Sequence, residues 1–365
     1  MVLGIIVAIV GIVGLMVLHE LGHFIIAKKF GVDVEEFGIG YPPRILGKKF
    51  GDTLYSINVI PFGAFVKIKG EEGGIEDVRS FSGKPIWQRM LIIVGGVVSF
   101  WVVSAILLGI IAGIWGLPTA VSDDENSGLA DIRIQIVSVL SNSPGEKAEL
   151  QVGDVITKIS KESESKKIAK MSDVQDFTNR YNGEKIILSI ERSGKTIDVP
   201  ITPRVSYPEN EGPIGIGLAR IALKSCSWFQ APIKGIVFTG ILTSSVIQGW
   251  VMGLKKLFGS EELPPGMKFE VMGPLGILGL LKEYFAKGIN YFLYLISLIS
   301  VALALANILP IPALDGGKLV FLCLEAIRKR PIPVKIEQSI TTVFFVFLIG
   351  LMLYITIRFD IPRVF

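Results

Sequence analysis

Five residues, His19-Glu20-Leu21-Gly22-His23, place ionisable groups where the surrounding sequence has none. Residues 1–18 carry no charge and are nearly all Val, Ile, Leu, Gly, Ala and Met. In a helix, residues four apart share a face, so His19 and His23 stand one turn apart and suit one tetrahedral Zn²⁺. Glu20 is then free to act as general base on a water activated by the metal. The competing reading is two interfacial histidines snorkelling at a helix end.

The chain has only 2 histidines, so any third protein ligand must be Asp, Glu or Cys. The segment Asn307-Ile308-Leu309-Pro310-Ile311-Pro312-Ala313-Leu314-Asp315-Gly316-Gly317 ends a later charge-free run. Its prolines break a helix, and Gly316-Gly317 allows a sharp turn that aims Asp315 inward. An acidic residue at the end of an apolar run is a functional candidate, although a surface aspartate ending a helix has the same signature.

The elements that must carry these residues are membrane spans. Of 365 residues, 50% are hydrophobic and 19% charged, and the mean hydropathy is +0.56. That composition predicts a polytopic α-helical membrane protein. The net charge of +4 is small and scattered, which argues against nucleic acid as a partner. Cys226 and Cys323 are far apart and fit no metal or disulfide framework. The apolar N-terminus has neither a basic n-region nor a small-residue cleavage site, so it is expected to stay as a span.

Charge-free runs predict four transmembrane helices, at 1–29, 87–122, 287–317 and 337–358, each meeting the requirement of about 20 apolar residues. A fifth run, Gly235 to Leu254, carries Thr239, Thr243, Ser244, Ser245, Gln248 and Trp250 and is ambiguous between a span and an interfacial helix. The loops at 30–86 and 318–336 are rich in Lys and Arg, whereas Asp123-Asp124-Glu125 follow the second span. The positive-inside rule therefore places both basic loops in the cytoplasm and both termini outside, with Lys282 and Lys287 as minor dissent. His19, His23 and Asp315 can then meet near the cytoplasmic leaflet only if the first and third spans run in the same direction. That predicts that Gly235 to Leu254 does not cross.

Between the spans, 30–86 reads as a small cytoplasmic, membrane-associated β-region, with short strands at 56–60 and 64–68 joined by Pro61-Phe62-Gly63. Residues 130–205 read as one extracytoplasmic α+β insert, its strands alternating with turns and one helix near 173–181, and with a solvated loop at 161–170. Residues 206–286 read as amphipathic helices and strands lying on the outer face, punctuated by Pro264-Pro265-Gly266 and Gly273-Pro274-Leu275-Gly276. Residues 359–365 form a tail.

HELGH in the first span and NILPIPALDGG closing a later one resemble the site-2 protease family of intramembrane zinc metalloproteases, in particular the regulator-of-sigma-E protease group. Pro61-Phe62-Gly63-Ala64-Phe65-Val66-Lys67-Ile68, Gly273-Pro274-Leu275-Gly276-Ile277 and Phe359-Asp360-Ile361-Pro362-Arg363 add to the likeness. The run from Ser143-Pro144-Gly145 to Gly153-Asp154-Val155-Ile156 resembles a PDZ turn and helix, with Glu149 where glycine is usual. The resemblance implies a bacterial inner-membrane protease with Zn²⁺ on His19, His23 and Asp315 and with Glu20 activating water. It implies that Asn307 holds the substrate backbone or an oxyanion, and that Pro61, Phe62, Gly63 and Phe65 belong to a strand clamping an unwound substrate. The expected partners are single-pass transmembrane proteins within the bilayer, and extended peptides at the PDZ-like domain. Two departures stand out: there is room for one PDZ domain rather than two, and Gly96-Val97-Val98-Ser99-Phe100 has Ser99 where relatives often have asparagine. A non-catalytic PDZ-bearing scaffold and a metal transporter are the rival classes; intact Glu20 opposes the first, and the lack of an internal repeat opposes the second.

Overall fold

The computed structural model describes residues 2–71, 73, 77–125, 129–192, 194–208, 211–259 and 271–364. The Pro264-Pro265-Gly266 breaker lies outside them. Chain contacts divide the protein into two units, one of residues 1–110, 232–246 and 271–365, the other of 111–231 and 247–270.

The first unit is built on long apolar helices: α1 (Val2–Lys29), α2 (Ile86–Ile114), the start of α5 (Ala231–Leu257), α7 (Ile289–Ile308) and α9 (Val334–Ile355). Such sequences form helices because a backbone in hydrocarbon must satisfy its own hydrogen bonds. Among the described residues, five helices are long and apolar enough to cross a membrane, Ala231–Lys256 among them. The ambiguous run Gly235 to Leu254 lies within α5, whose threonines return their hydroxyls to its own backbone, as Thr239 does to Gly235 and Thr243 to Thr239. The chain is a multi-pass membrane protein.

Helix directions follow from the contacts. Gly22 and His23 of α1 lie against Gly95 and Gly96 of α2, and His19 stacks on Phe100, so α2 runs antiparallel to α1. Gly235 packs on Ala105 and Gly109, Thr239 bonds Ser104, and Thr243 accepts from Trp101, so α5 descends antiparallel to α2. Gly4 meets Lys282 and Phe285 of α6 (Pro274–Lys287), and Gly11 meets Phe292 and Ile296 of α7. Thus α7 runs with α1. Ala8, Leu15, Val97, Phe100, Leu281, Phe292, Leu295, Ile296 and Ala304 form the core between these helices.

Asp315 is not the tail of the third span. The α7 helix stops at Ile308, the chain turns through Pro310 and Pro312, and Asp315 opens a new helix, α8 (Asp315–Arg328). Gly316 and Gly317 serve close approach rather than turning: a Cβ on either would stand 2.1 Å from the Leu309 carbonyl oxygen or 2.4 Å from that of Ile311. Strain sits one step earlier, where Ala313 holds φ 81.

The β-region is one long hairpin, β1 (Val34–Phe50) and β2 (Thr53–Ile68). Pro61-Phe62-Gly63 does not join two short strands but lies within β2, which continues through it with a register shift. The hairpin folds back on itself, so that residues 36–39 have partners on both sides, 64–67 on one and 54–57 on the other. The buried amide of Asn58 ties the fold by donating to the carbonyls of Ile39 and Gly40. Its end packs with α8 through Val34, Ile68, Phe81 and Leu322.

The second unit holds a seven-stranded sheet in the order β3-β9-β4-β5-β7-β8, with β6 beside β5. The strands are β3 (Leu117–Ala120), β4 (Leu129–Val139), β5 (Val155–Lys161), β6 (Glu164–Lys167), β7 (Ile186–Arg192), β8 (Lys195–Ile201) and β9 (Ile216–Lys224). Ile186, Leu188 and Ile190 alternate inward and pack with Ile134, Ile136, Ile156 and Ile159 under α4 (Met171–Arg180). Two expectations change here. The run 161–170 contains β6, because Ser165 and Lys166 pair with β5. Residues 216–224 are not an amphipathic surface piece but a central strand, with Arg220 buried and donating to the carbonyls of Ser122 and Glu125. Ser143 caps the short helix α3 (Pro144–Lys147) by accepting from Glu146 N–H. Glu149, standing where a glycine is usual, holds φ 57. Asp123 caps α4, accepting from the backbone N–H groups of Met171 and Ser172. Burial pushes that carboxyl up, but these donors outweigh it and hold it below the usual aspartate value.

Candidate metal centre

On α1 the buried stripe Gly4, Ala8, Leu15, His23 and Ala27 faces the other helices. His19, one turn before His23, shares that side and stacks on Phe100 with ring centroids 4.6 Å apart. The HELGH polarity therefore points into the helix packing rather than toward lipid, as intramembrane ionisable groups do.

The side chains of His19, His23 and Asp315 converge. The two Nε2 atoms are 3.3 Å apart, and Asp315 Oδ2 lies 3.3 Å from His19 Nε2 and 3.6 Å from His23 Nε2. A tetrahedral centre with ligand distances near 2.0–2.1 Å has edges of about 3.3–3.4 Å, so these atoms mark out one face of such a tetrahedron. His23 Nδ1 is 2.9 Å from the Ile92 carbonyl oxygen. A carbonyl only accepts, so Nδ1 carries the proton and Nε2 turns its lone pair to the cluster. Asp315 Oδ2 is buried with no hydrogen-bond donor. An anionic oxygen and a nitrogen lone pair packed this closely, without a proton from His23 between them, are chemically suited to a cation. Among the described residues this is the one group of three or more His, Cys, Asp or Glu whose ligand atoms come together in this way.

The ring of His23 needs space that only Gly96 leaves. A Cβ on Gly96 would stand 2.1 Å from Nε2 and 2.3 Å from Cε1. Gly96, the Ile92 carbonyl and Phe100 were not marked as site residues by the sequence reading. The adjacent Gly95-Gly96 pair in an apolar run was the available signal, because small residues let membrane helices approach closely.

Glu20 turns to the β-region and accepts a hydrogen bond from the Val66 N–H. Lys69 N–H, three residues later, bonds Asp33 on the other side. By strand alternation Ala64, Val66 and Ile68 present their backbone groups to an open edge of β2, with Glu20 on it. Of the other expected contact residues, Pro61 and Phe62 are exposed and Gly63 is buried. Phe65 covers Gly38 and stacks with Tyr41. Asn307 Nδ2 donates to the Leu303 carbonyl at 3.0 Å within its own helix. A cavity of about 520 Å³ lies beside Asp315, lined also by Glu71, Lys318, Glu337, Gln338, Thr341 and Thr342. The last four lie on the polar first turns of α9, ahead of its apolar run 343–355.

Comparison with known proteins agrees with this geometry. The profile of peptidase family M50 matches residues 7–351, and the chain belongs to that family. It is 31% identical over 354 residues to a candidate zinc metalloprotease of Clostridium perfringens, covering 97% of each chain. It is 27% identical to one from a Nostoc species, covering 98% of this chain and 95% of that one. It is also 25% identical to the regulator of sigma-W protease RasP of Bacillus subtilis, covering 99% of both.

Proposed function

We propose that the protein is an intramembrane zinc metalloprotease of the site-2 protease type, cutting peptide bonds within transmembrane segments of single-pass membrane proteins. The observation that carries this reading is the triangle of His19 Nε2, His23 Nε2 and Asp315 Oδ2, with Glu20 on the same helix beside it. The three residues would hold Zn²⁺, which when bound polarises a peptide carbonyl and makes water acidic enough to react near neutral pH. Ile92 holds the His23 ring in the tautomer that ligation needs. Glu20 takes the proton from the attacking water and returns it to the leaving amine.

A helical segment shields its peptide bonds, so a substrate must unwind before it can be cut. The open edge of β2 offers an unwound segment a strand partner, and Glu20 already sits on that edge, so an added strand brings its own backbone against the general base. In this reading Pro61, Phe62, Gly63 and Phe65 shape that edge. Asn307 serves the substrate backbone with its carboxamide, which can both donate and accept.

The proposed setting is a bacterial inner membrane, with the metal near the cytoplasmic leaflet and both termini and the seven-stranded unit outside. The parallel sense of α1 and α7 supports α5 lying beside α2 without completing a crossing. The seven-stranded unit acts as a PDZ-like domain that captures extended peptides. The deciding experiment is Glu20→Gln in purified protein. Zinc stays bound and cleavage of a synthetic transmembrane peptide is lost; retained cleavage would refute the assignment.

A further inference from the structure

Lys318 stands three residues after Asp315, so one turn of α8 carries both side chains to the same side. Its Nζ lies 2.7 Å from Glu71 Oε1, 3.4 Å from the Glu71 carbonyl oxygen and 5.3 Å from the centroid of the Phe81 ring. Glu71 follows the end of β2 by three residues. Lys318 and Glu71 together line three cavities, of about 520, 670 and 620 Å³, and the first of these reaches Asp315. In that first cavity the lining holds three carboxylates, Glu71, Asp315 and Glu337, and one cation, Lys318.

An ion pair with both side chains 24% exposed adds little to overall stability. Its importance is where it acts. The same ammonium holds a side chain and a main-chain oxygen just past β2, and it rides on the helix whose first residue is Asp315. Sliding β2 along its axis by one residue moves the open edge by about 3.3 Å. Because alternate residues face opposite ways, it also exchanges which backbone groups face outward.

We propose that the Lys318–Glu71 pair is a register clamp. It sets where the open edge of β2 lies relative to Glu20 and the His19–His23–Asp315 cluster, and so selects which peptide bond of an added strand is cut. Lys318 is a positioning residue in this scheme, and the scheme rests on the strand-addition reading above.

The test uses the full-length protein in detergent or nanodiscs with a synthetic transmembrane peptide, the cleaved bond being read from product masses. Lys318→Met and Glu71→Gln should keep zinc at wild-type stoichiometry. They should spread cleavage to bonds one or two residues away and raise KM several-fold more than they lower kcat. In metal-free protein both should speed amide exchange at Val66 and Ile68. Lys318→Arg, and the exchanged pair Lys318→Glu with Glu71→Lys, should restore the single cleavage position. The clamp is overturned if Lys318→Met cuts the same single bond, loses zinc, or leaves exchange unchanged, or if the exchanged pair fails to rescue. A proline scan of the peptide with wild-type enzyme separates the two ideas. A scan without positional dependence removes strand addition itself, whereas a position-dependent scan with unmoved cleavage in the variants removes only the clamp.

Discussion

Replacing Gly96 by alanine tests whether helix proximity at α1 and α2 builds the metal centre. The added Cβ would meet His23 Nε2 at 2.1 Å, whereas ordinary contact begins at 3.4 Å. The ring must therefore recede by about 1.3 Å, several times the roughly 0.2 Å tolerance of a metal–ligand distance. It would also lose its alignment with the Ile92 carbonyl. Losing such an orienting partner alone lowers metal affinity about 10–100-fold, and moving the ligand as well should exceed the upper figure. Crowding should cost about 1–3 kcal/mol of stability in addition. The assay is a zinc titration of purified protein followed by elemental analysis and peptide cleavage. Gly14→Ala is the control, because a Cβ there meets nothing within 4 Å. In a His23→Ala background the stability cost of Gly96→Ala should vanish, since the ring it collides with is gone. Wild-type zinc affinity in Gly96→Ala, or an undiminished stability cost in the double variant, would refute the reasoning.

Other outcomes follow from the same structure. Glu149→Gly should raise the thermal stability of the protein by about 0.5–1 kcal/mol, because φ 57 is strained for glutamate and free for glycine; a decrease would mean that the Glu149 side chain does more than occupy the turn. A topology reporter placed after Lys256 should read the outer side of the membrane; a cytoplasmic signal would contradict α5 as an incomplete crossing. Deleting residues 130–205 should broaden the set of transmembrane peptides cut, whereas unchanged selectivity would remove the peptide-filtering role of the PDZ-like unit.

The apolar runs, the HELGH spacing and the candidate third ligand were all legible in the chain because they depend on local rules. Helical periodicity brings His19 and His23 to one face, hydrocarbon demands helices, and a chain with two histidines must look to a carboxylate or thiolate for its third ligand. Three boundaries were misread where long-range pairing decided the outcome. Pro61-Phe62-Gly63 reads as a turn but bulges within β2, because Ile60 and Ala64 on either side of it both pair with β1. The polar run 161–170 holds a strand because β5 pairs with it. Residues 216–224 become a central strand because β3 and β4 flank them.

For the centre itself, the amino-acid sequence determined which atoms could bind a metal, since ligand chemistry belongs to residue type. Only the tertiary structure decided that they meet. Nothing local tells Asp315 to open a helix against HELGH, or Gly96 to leave a place for the His23 ring. Nor does anything local tell Ile92 to accept its proton, or the β2 edge to run past Glu20. Those relations join residues 69 or more positions apart in the sequence, or different elements, and they exist only once helices and hairpin have packed to the close approach that their small residues permit.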